Sequence, residues 1–141
     1  MPPATDISAW LDLHPHPEGG FYRETFRQRS GEATRGTLAL IYYLLPENHC
    51  SAWHRIDATE VWHFVGGAPL CLTVSAASCG TRRIVLGNGL EAGESPYVVV
   101  EPWTWMTAVS LGEWTLMSCT TAPAYDFGGF ELAPPGWQPE A

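Results

Sequence analysis

The chain contains no lysine. Its seven basic residues are all arginine and stand against fifteen Asp and Glu, for a net charge of −8. A nucleic-acid-binding protein needs a basic face that displaces counterions. None is present, so that class is excluded, and an anionic membrane surface is disfavoured for the same reason. No run approaches the ~18 apolar residues of a membrane span. The first dozen residues lack the basic start and apolar run of a signal peptide. No two of Cys50, Cys71, Cys79 and Cys119 form a CxxC pair, which removes zinc-ribbon and dithiol motifs. The expectation is a reduced, cytoplasmic protein whose cysteines act as buried small hydrophobes. The glycine-rich loop Leu86 to Pro96 has no helix after it and no Lys-Ser/Thr pair, so it is not a phosphate cradle.

What is present is apolar and aromatic. Hydrophobic residues make up 45% of the 141, with seven Trp, five Tyr and five Phe. That composition and length suit one domain, residues 1–141, large enough to bury its core. Thr5 or Asp6 can cap a short helix carrying Ile7, Trp10 and Leu11 at helical spacing, which packs as a lid. Pro15 and Pro17 end it, and Gly19-Gly20 permits a turn. Strands follow at Phe21 to Arg27, Gly36 to Leu45, Cys50 to Ile56, Glu60 to Val65, Pro69 to Ala77, Arg82 to Leu86, Tyr97 to Glu101, Thr104 to Val109 and Glu113 to Thr121. A last strand falls in Phe127 to Leu132, and a hairpin turn at Ser78-Cys79-Gly80-Thr81. The proline-rich stretch 133–141 reads as a loose tail. Short strands at turn spacings of about 8–12 residues, with one helix, predict an antiparallel sandwich or barrel. Gly36 to Leu45 lacks strict alternation, which implies burial on both faces, as where a sheet also meets a partner subunit.

Ser51 to Gly67, SAWHRIDATEVWHFVGG, is the informative stretch. Side chains alternate along a strand, so Ala52, His54 and Ile56 share one face, and Glu60, Trp62 and Phe64 share another. If those faces meet, an imidazole and a carboxylate lie inside an apolar wall. A buried carboxylate is costly unless paired, so function is the natural reason for it. His63 has the opposite parity and faces outward, while His14, His16 and His49 fall in loops. Arg23 lies on one face with Phe21 and Thr25; it either meets a carboxylate or anion inside the barrel or is an exposed edge arginine.

The spacing His54-Arg55-Ile56, three residues, Glu60, six residues, Gly67 resembles the first motif of the cupin superfamily. The likeness continues through LHPHPEGGFYRETF, LALIYYLL, SAWHRIDATEVWHFVGGAPL, LGNGLEAGESP and CTTAPAYDFGGFELA, and resembles one small cupin family of largely unknown function. The resemblance implies an all-β double-stranded β-helix (jelly roll) with one short N-terminal helix, a cytoplasmic homodimer and a ligand pocket in the barrel. It also implies departures: the second motif histidine falls on Ile56, and the one in the second motif near Met106 or Thr107. Tyr97 replaces the family's glutamine after Ser-Pro, and Glu101 and Trp103 are unusual, while Trp105 keeps its place.

Two inward ligands, His54 and Glu60, make a poor metal site; the expectation is no cofactor, with metal-dependent chemistry on those two residues as an alternative. The preferred reading is metal-independent acid–base catalysis of the epimerase, isomerase, dehydratase or cyclase type. His54 would be the base, Glu60 its partner or a second acid, and Tyr43 or Tyr97 a proton donor. Arg23, Trp62, Phe64, Tyr97, Trp103 and Trp105 are candidate ligand contacts, and a non-catalytic binding protein with an aromatic box is the other alternative.

Overall fold

The computed structural model describes residues 1–29, 35–77 and 80–139. One helix, α1 (Ala4–Trp10), precedes eleven strands: β1 (His14–Pro15), β2 (Phe21–Gln28), β3 (Leu38–Pro46), β4 (Cys50–Ile56), β5 (Thr59–Gly67), β6 (Leu70–Ala76), β7 (Gly80–Leu86), β8 (Tyr97–Val100), β9 (Trp105–Ser110), β10 (Trp114–Ala122) and β11 (Phe130–Leu132). They form two antiparallel sheets, one ordered β1-β2-β3-β10-β5-β8 and the other β11-β4-β9-β6-β7. From β3 onward the chain alternates between the sheets, except that β6 and β7 are neighbours in one, which gives the double-stranded β-helix of a jelly roll. The expected strands are all present, with Cys50–Ile56 matching at both ends and the others shifted by at most three residues. Ser78 and Cys79 of the expected hairpin turn, much of the polar loop before β3, and the last two residues lie outside the described residues.

The core lies between the sheets. Tyr43, Leu45, Ile56, Trp62, Leu70, Leu72, Met106, Ala108, Met117 and Cys119 pack there. A second cluster lies outside the six-stranded sheet: Leu13, Leu44, Trp114 and Leu116, covered by Ala4, Ile7 and Leu11. It explains the missing alternation of β3. At Tyr42 and Leu44 its second face is covered by α1 and the residues that follow it. The helix starts after Pro3, which makes no side-chain cap, so neither Thr5 nor Asp6 has the capping role. Trp114 fastens the helix by donating its indole N–H to the Pro2 carbonyl at 2.8 Å. Arg23 fastens the other end, its Nε donating to the Leu11 carbonyl at 2.7 Å. Arg23 thus belongs to the outer face, under the helix, and among the described residues reaches neither a carboxylate nor the barrel interior.

Residues 133–139, expected as a loose tail, run along the outer face of the five-stranded sheet. The Ala133 amide donates to the Trp53 carbonyl at 2.9 Å. Trp137 then packs on Trp105 and Trp53, with ring centroids 4.5 and 5.7 Å apart. Of the cysteines described, Cys119 is buried, Cys71 partly so, and Cys50 is exposed at the start of β4, which corrects the reading of all as interior hydrophobes.

Candidate active site

His54 and Glu60 enter the space between the sheets from opposite sides, His54 on β4 and Glu60 on β5, and both line one cavity. The strands deliver them by parity. The loop between β1 and β2 delivers the group that joins them electrostatically. His16 and Glu18 fold inward there, and both are buried (about 4% and 10% side-chain exposure). Gly19 and Gly20 make this possible with φ of 109° and 75°. A Cβ at Gly19 would stand 2.1 Å from the Cys50 carbonyl oxygen, and one at Gly20 would stand 2.9 Å from the Tyr43 hydroxyl. Backbone bonds fix the loop on β4, with the Ala52 amide donating to the Glu18 carbonyl at 2.7 Å.

The Glu18 carboxylate is the hub. One oxygen takes hydrogen bonds from His54 Nδ1 at 2.9 Å and from the Ser51 hydroxyl. His54 Nδ1 also faces the Ala52 carbonyl at 2.8 Å, and two acceptors on one ring nitrogen require that it carry the proton. Burial works against a charged His54, but the adjacent Glu18 carboxylate outweighs it and lifts the imidazole to about 9. Burial likewise opposes the charge on Glu18, and His54 outweighs it and holds the carboxyl below its ordinary value. The two form a buried ion pair. His16 behaves differently: burial lowers its affinity for a proton, and its Nδ1 accepts the Glu18 backbone N–H at 3.2 Å. A nitrogen that accepts an amide proton cannot also donate to the Glu18 oxygen 3.3 Å away. His16 is therefore the neutral ring, packed edge-on against Tyr22 at 4.5 Å between centroids.

Glu60 has the remaining titratable role. Burial first, and the negative Glu18 second, raise its carboxyl to about 7, with His54 pulling the other way. Its Oε1 is buried without a hydrogen-bond partner. Ile41, Ile56, Cys119, Thr121, Tyr22 and Tyr125 complete the cavity wall. The free space inside is about 20 Å³, the size of a single water-sized group.

These observations redistribute the expected roles. His54, anticipated as the base, already holds its proton at neutral pH, so the exchangeable group is Glu60. Tyr43 is the inward tyrosine of its pair, but its hydroxyl donates to the Gly19 carbonyl at 2.6 Å and supports the loop, leaving no proton aimed at the cavity. The anticipated aromatic box is not assembled. Trp62 is core, edge-on to Tyr43 at 5.8 Å. Phe64 packs half-buried against the core. Tyr97 and Trp103 are 57% and 51% exposed. Trp105 faces outward, with the Arg55 guanidinium 4.5 Å above its ring. Tyr22 and Tyr125 supply the cavity's aromatic surface in their place. His63 lies outside beside Tyr97, as its parity requires.

The residues that strand reasoning missed are His16, Glu18, Thr121 and Tyr125. Their signal lay in the segments PHPEGGFYRET and CTTAPAYDFGG, which carry the family likeness but no strand alternation over the loop residues. A resident metal fits this donor set poorly. The second-histidine position is Ile56, in the cavity wall, and Met106 is buried opposite His54. The Thr107 hydroxyl is bonded to the Ser51 carbonyl at 2.6 Å. Among the described residues no three His, Cys, Asp or Glu side chains are grouped to hold a metal ion.

Residues 5–133 match the family described as Cupin superfamily (DUF985). The structure is similar to that of protein SO0799 from Shewanella oneidensis, with 31% identity and a TM-score of 0.89 over 94% of this chain and 85% of that one. It is similar to a hypothetical protein from Leishmania major, at 27% identity and a TM-score of 0.84 over 92% and 86%. Oxalate decarboxylase of Bacillus subtilis shares the fold at 14% identity and a TM-score of 0.65, this chain covering 30% of its length. No protein of curated function matches the chain. No helix among the described residues is long and apolar enough to cross a membrane.

Proposed function

Because the chain belongs to the DUF985 family of the cupin superfamily, we infer that it binds a small organic molecule at the cavity between its sheets and acts on it by acid–base chemistry centred on Glu60. One observation carries this reading: a buried carboxyl in the cavity wall, one oxygen unpartnered, held at about 7. A group with that affinity exchanges protons readily at neutral pH, and an unsatisfied buried acid calls for a reason beyond packing.

The division of labour follows from charge. Glu60 as carboxylate takes a proton from the carbon next to a substrate carbonyl. The C–H bonding pair moves into a C–C double bond and the carbonyl electrons move onto oxygen. The Thr121 and Tyr125 hydroxyls, unpartnered among the described residues of the cavity wall, donate hydrogen bonds to the resulting negative oxygen. Glu60 as acid then returns the proton, to the same carbon from the other face or to another atom. Epimerisation, isomerisation, dehydration and cyclisation all share this first step.

The test is hydrogen exchange. A panel of small ketones and aldehydes is incubated with the protein in D₂O and read by NMR. At least one compound is expected to gain deuterium next to its carbonyl with the wild type and none with Glu60→Gln, whose melting temperature stays near the wild-type value. Exchange by Glu60→Gln at the wild-type rate, or no exchange by either protein, overturns the reading.

A further inference from the structure

Four buried side-chain polar atoms lack hydrogen-bond partners among the described residues: Glu60 Oε1, Trp62 Nε1, Thr121 Oγ1 and Tyr125 OH. Three of their residues, Glu60, Thr121 and Tyr125, line the same cavity. Buried polar groups left unpaired are rare because each gives up the hydrogen bonds it made with water and gains none. Three in one small space mark a place where a ligand supplies the missing partners. We propose that the Thr121 and Tyr125 hydroxyls, beside Glu60, form a subsite for the neutral carbonyl oxygen of a ketone or aldehyde. This rests on the reading that the cavity is where substrate binds, and it names what that substrate presents.

The groups select the chemistry. Tyr125 keeps its proton, since burial and the nearby Glu18 charge oppose ionisation. Thr121 carries a hydroxyl that cannot ionise. Both are donors with nothing to donate to, and a carbonyl oxygen has two lone pairs to receive them. The only fixed charges in the wall, Glu18 and His54, cancel each other. An anionic head would enter with no counter-charge and bear the full cost of desolvation, so a neutral oxygen fits better than a carboxylate or phosphate.

Size places the rest of the molecule. About 20 Å³ admits an oxygen and little else. Outside, a vestibule of about 370 Å³ shares Tyr22, Ile41 and Tyr125 with the cavity and adds Phe127, while Glu24, Arg27, Arg35 and Asp126 make the rest of its wall charged. The substrate's body lies there, and its carbonyl with the carbon next to it passes between Tyr22 and Tyr125 toward Glu60. Arginine fixes the Tyr125 side of this opening. Arg27 Nη2 donates to the Tyr125 carbonyl at 2.7 Å and Arg35 Nε to the Ala124 carbonyl at 2.8 Å. Arg35 is itself held by two 2.8 Å bonds to Asp57.

Cyclohexanone labelled with ¹³C at its carbonyl, titrated into the full chain and followed by NMR, tests the subsite. Saturable binding with a downfield carbonyl shift is expected, and Tyr125→Phe and Thr121→Val should each weaken binding about three- to tenfold, the worth of one hydrogen bond. Cyclohexanecarboxylate is expected to bind more weakly than the ketone. Should Tyr125→Phe not fold, Thr121→Val decides alone. Absent ketone binding, preference for the carboxylate, or undiminished affinity in the hydroxyl variants overturns the subsite. Hydroxyl-dependent binding without deuteration of any carbonyl compound upholds it while overturning the acid–base reading. Deuteration that persists unchanged when both hydroxyls are removed does the reverse.

Discussion

Glu18 decides the protonation of everything near it. It keeps His54 charged and is the second contributor, after burial, to the raised affinity of Glu60 for its proton. Removing its charge leaves a buried cation unpaired, which costs about 3–5 kcal/mol. Glu18→Gln is therefore expected to destabilise the fold by roughly that amount, read by chemical denaturation. It should also drop the His54 titration, read by NMR, below about 9. Glu60 should titrate lower too, because a repelling neighbour is gone. A variant that folds with wild-type stability and an unchanged His54 would refute the ion pair. The sequence made His54 and Glu60 legible because strand parity places side chains at a period of two. Glu18 was illegible by the same logic. A loop residue has no period, and its inward turn depends on two positive-φ glycines and on Tyr43 taking the Gly19 carbonyl from across the barrel.

At the scale of elements, the loop between β1 and β2 works as one part with the strand it lies on. Gly19→Ala adds a Cβ that meets the Cys50 carbonyl, at a φ of 109° that side chains rarely adopt. The loop must lift off β4, and Glu18 goes with it. A loss on the order of 1–3 kcal/mol from the backbone alone is expected, seen as a lower melting temperature together with a lower His54 titration. A fall in melting temperature without the shift at His54 would mean that the loop holds Glu18 by other contacts. Most strands could be read from alternation and turn residues. β3 could be read as a strand but not in what covered it, since no pattern in Leu38–Pro46 says that the apolar outer face meets α1 of its own chain. The aromatic box failed similarly. Parity placed Trp62 inward, but an inward side chain is as easily core as cavity wall, and the packing against Tyr43 settles which.

For the whole molecule, buried titrations set how stability varies with pH. His54 holds its proton to about 9 folded against 6.5 unfolded. Its contribution is complete below 6.5 and is lost as pH rises through about 9. Glu60 has the same sign, with the folded carboxyl at about 7 and the unfolded one at 4.5, so ionising it weakens the fold as pH climbs through that window. His16, favoured neutral, works the other way below 6.5. Glu18 defines the acid limb, its contribution present above 4.5 and lost as pH falls through its depressed folded value. Melting temperature should therefore fall steadily between pH 6.5 and 9, and His54→Gln should flatten that slope; a rising or level wild-type profile would contradict the assigned charges. The chain's net charge of −8 works in the same direction as pH rises, adding general repulsion.

The short strand β11 joins two fates that are usually separate. Its three residues pair with Ile56, Arg55 and His54 along the open edge of β4, and the Phe130 ring lies 5.6 Å from the His54 ring. An uncovered edge strand is a template on which other chains stack. Loss or fraying of residues 130–132 would bare the edge of the strand that carries His54, so a protein that loosens its site by this route also becomes prone to aggregate. Selection against clumping alone would then help keep the site intact.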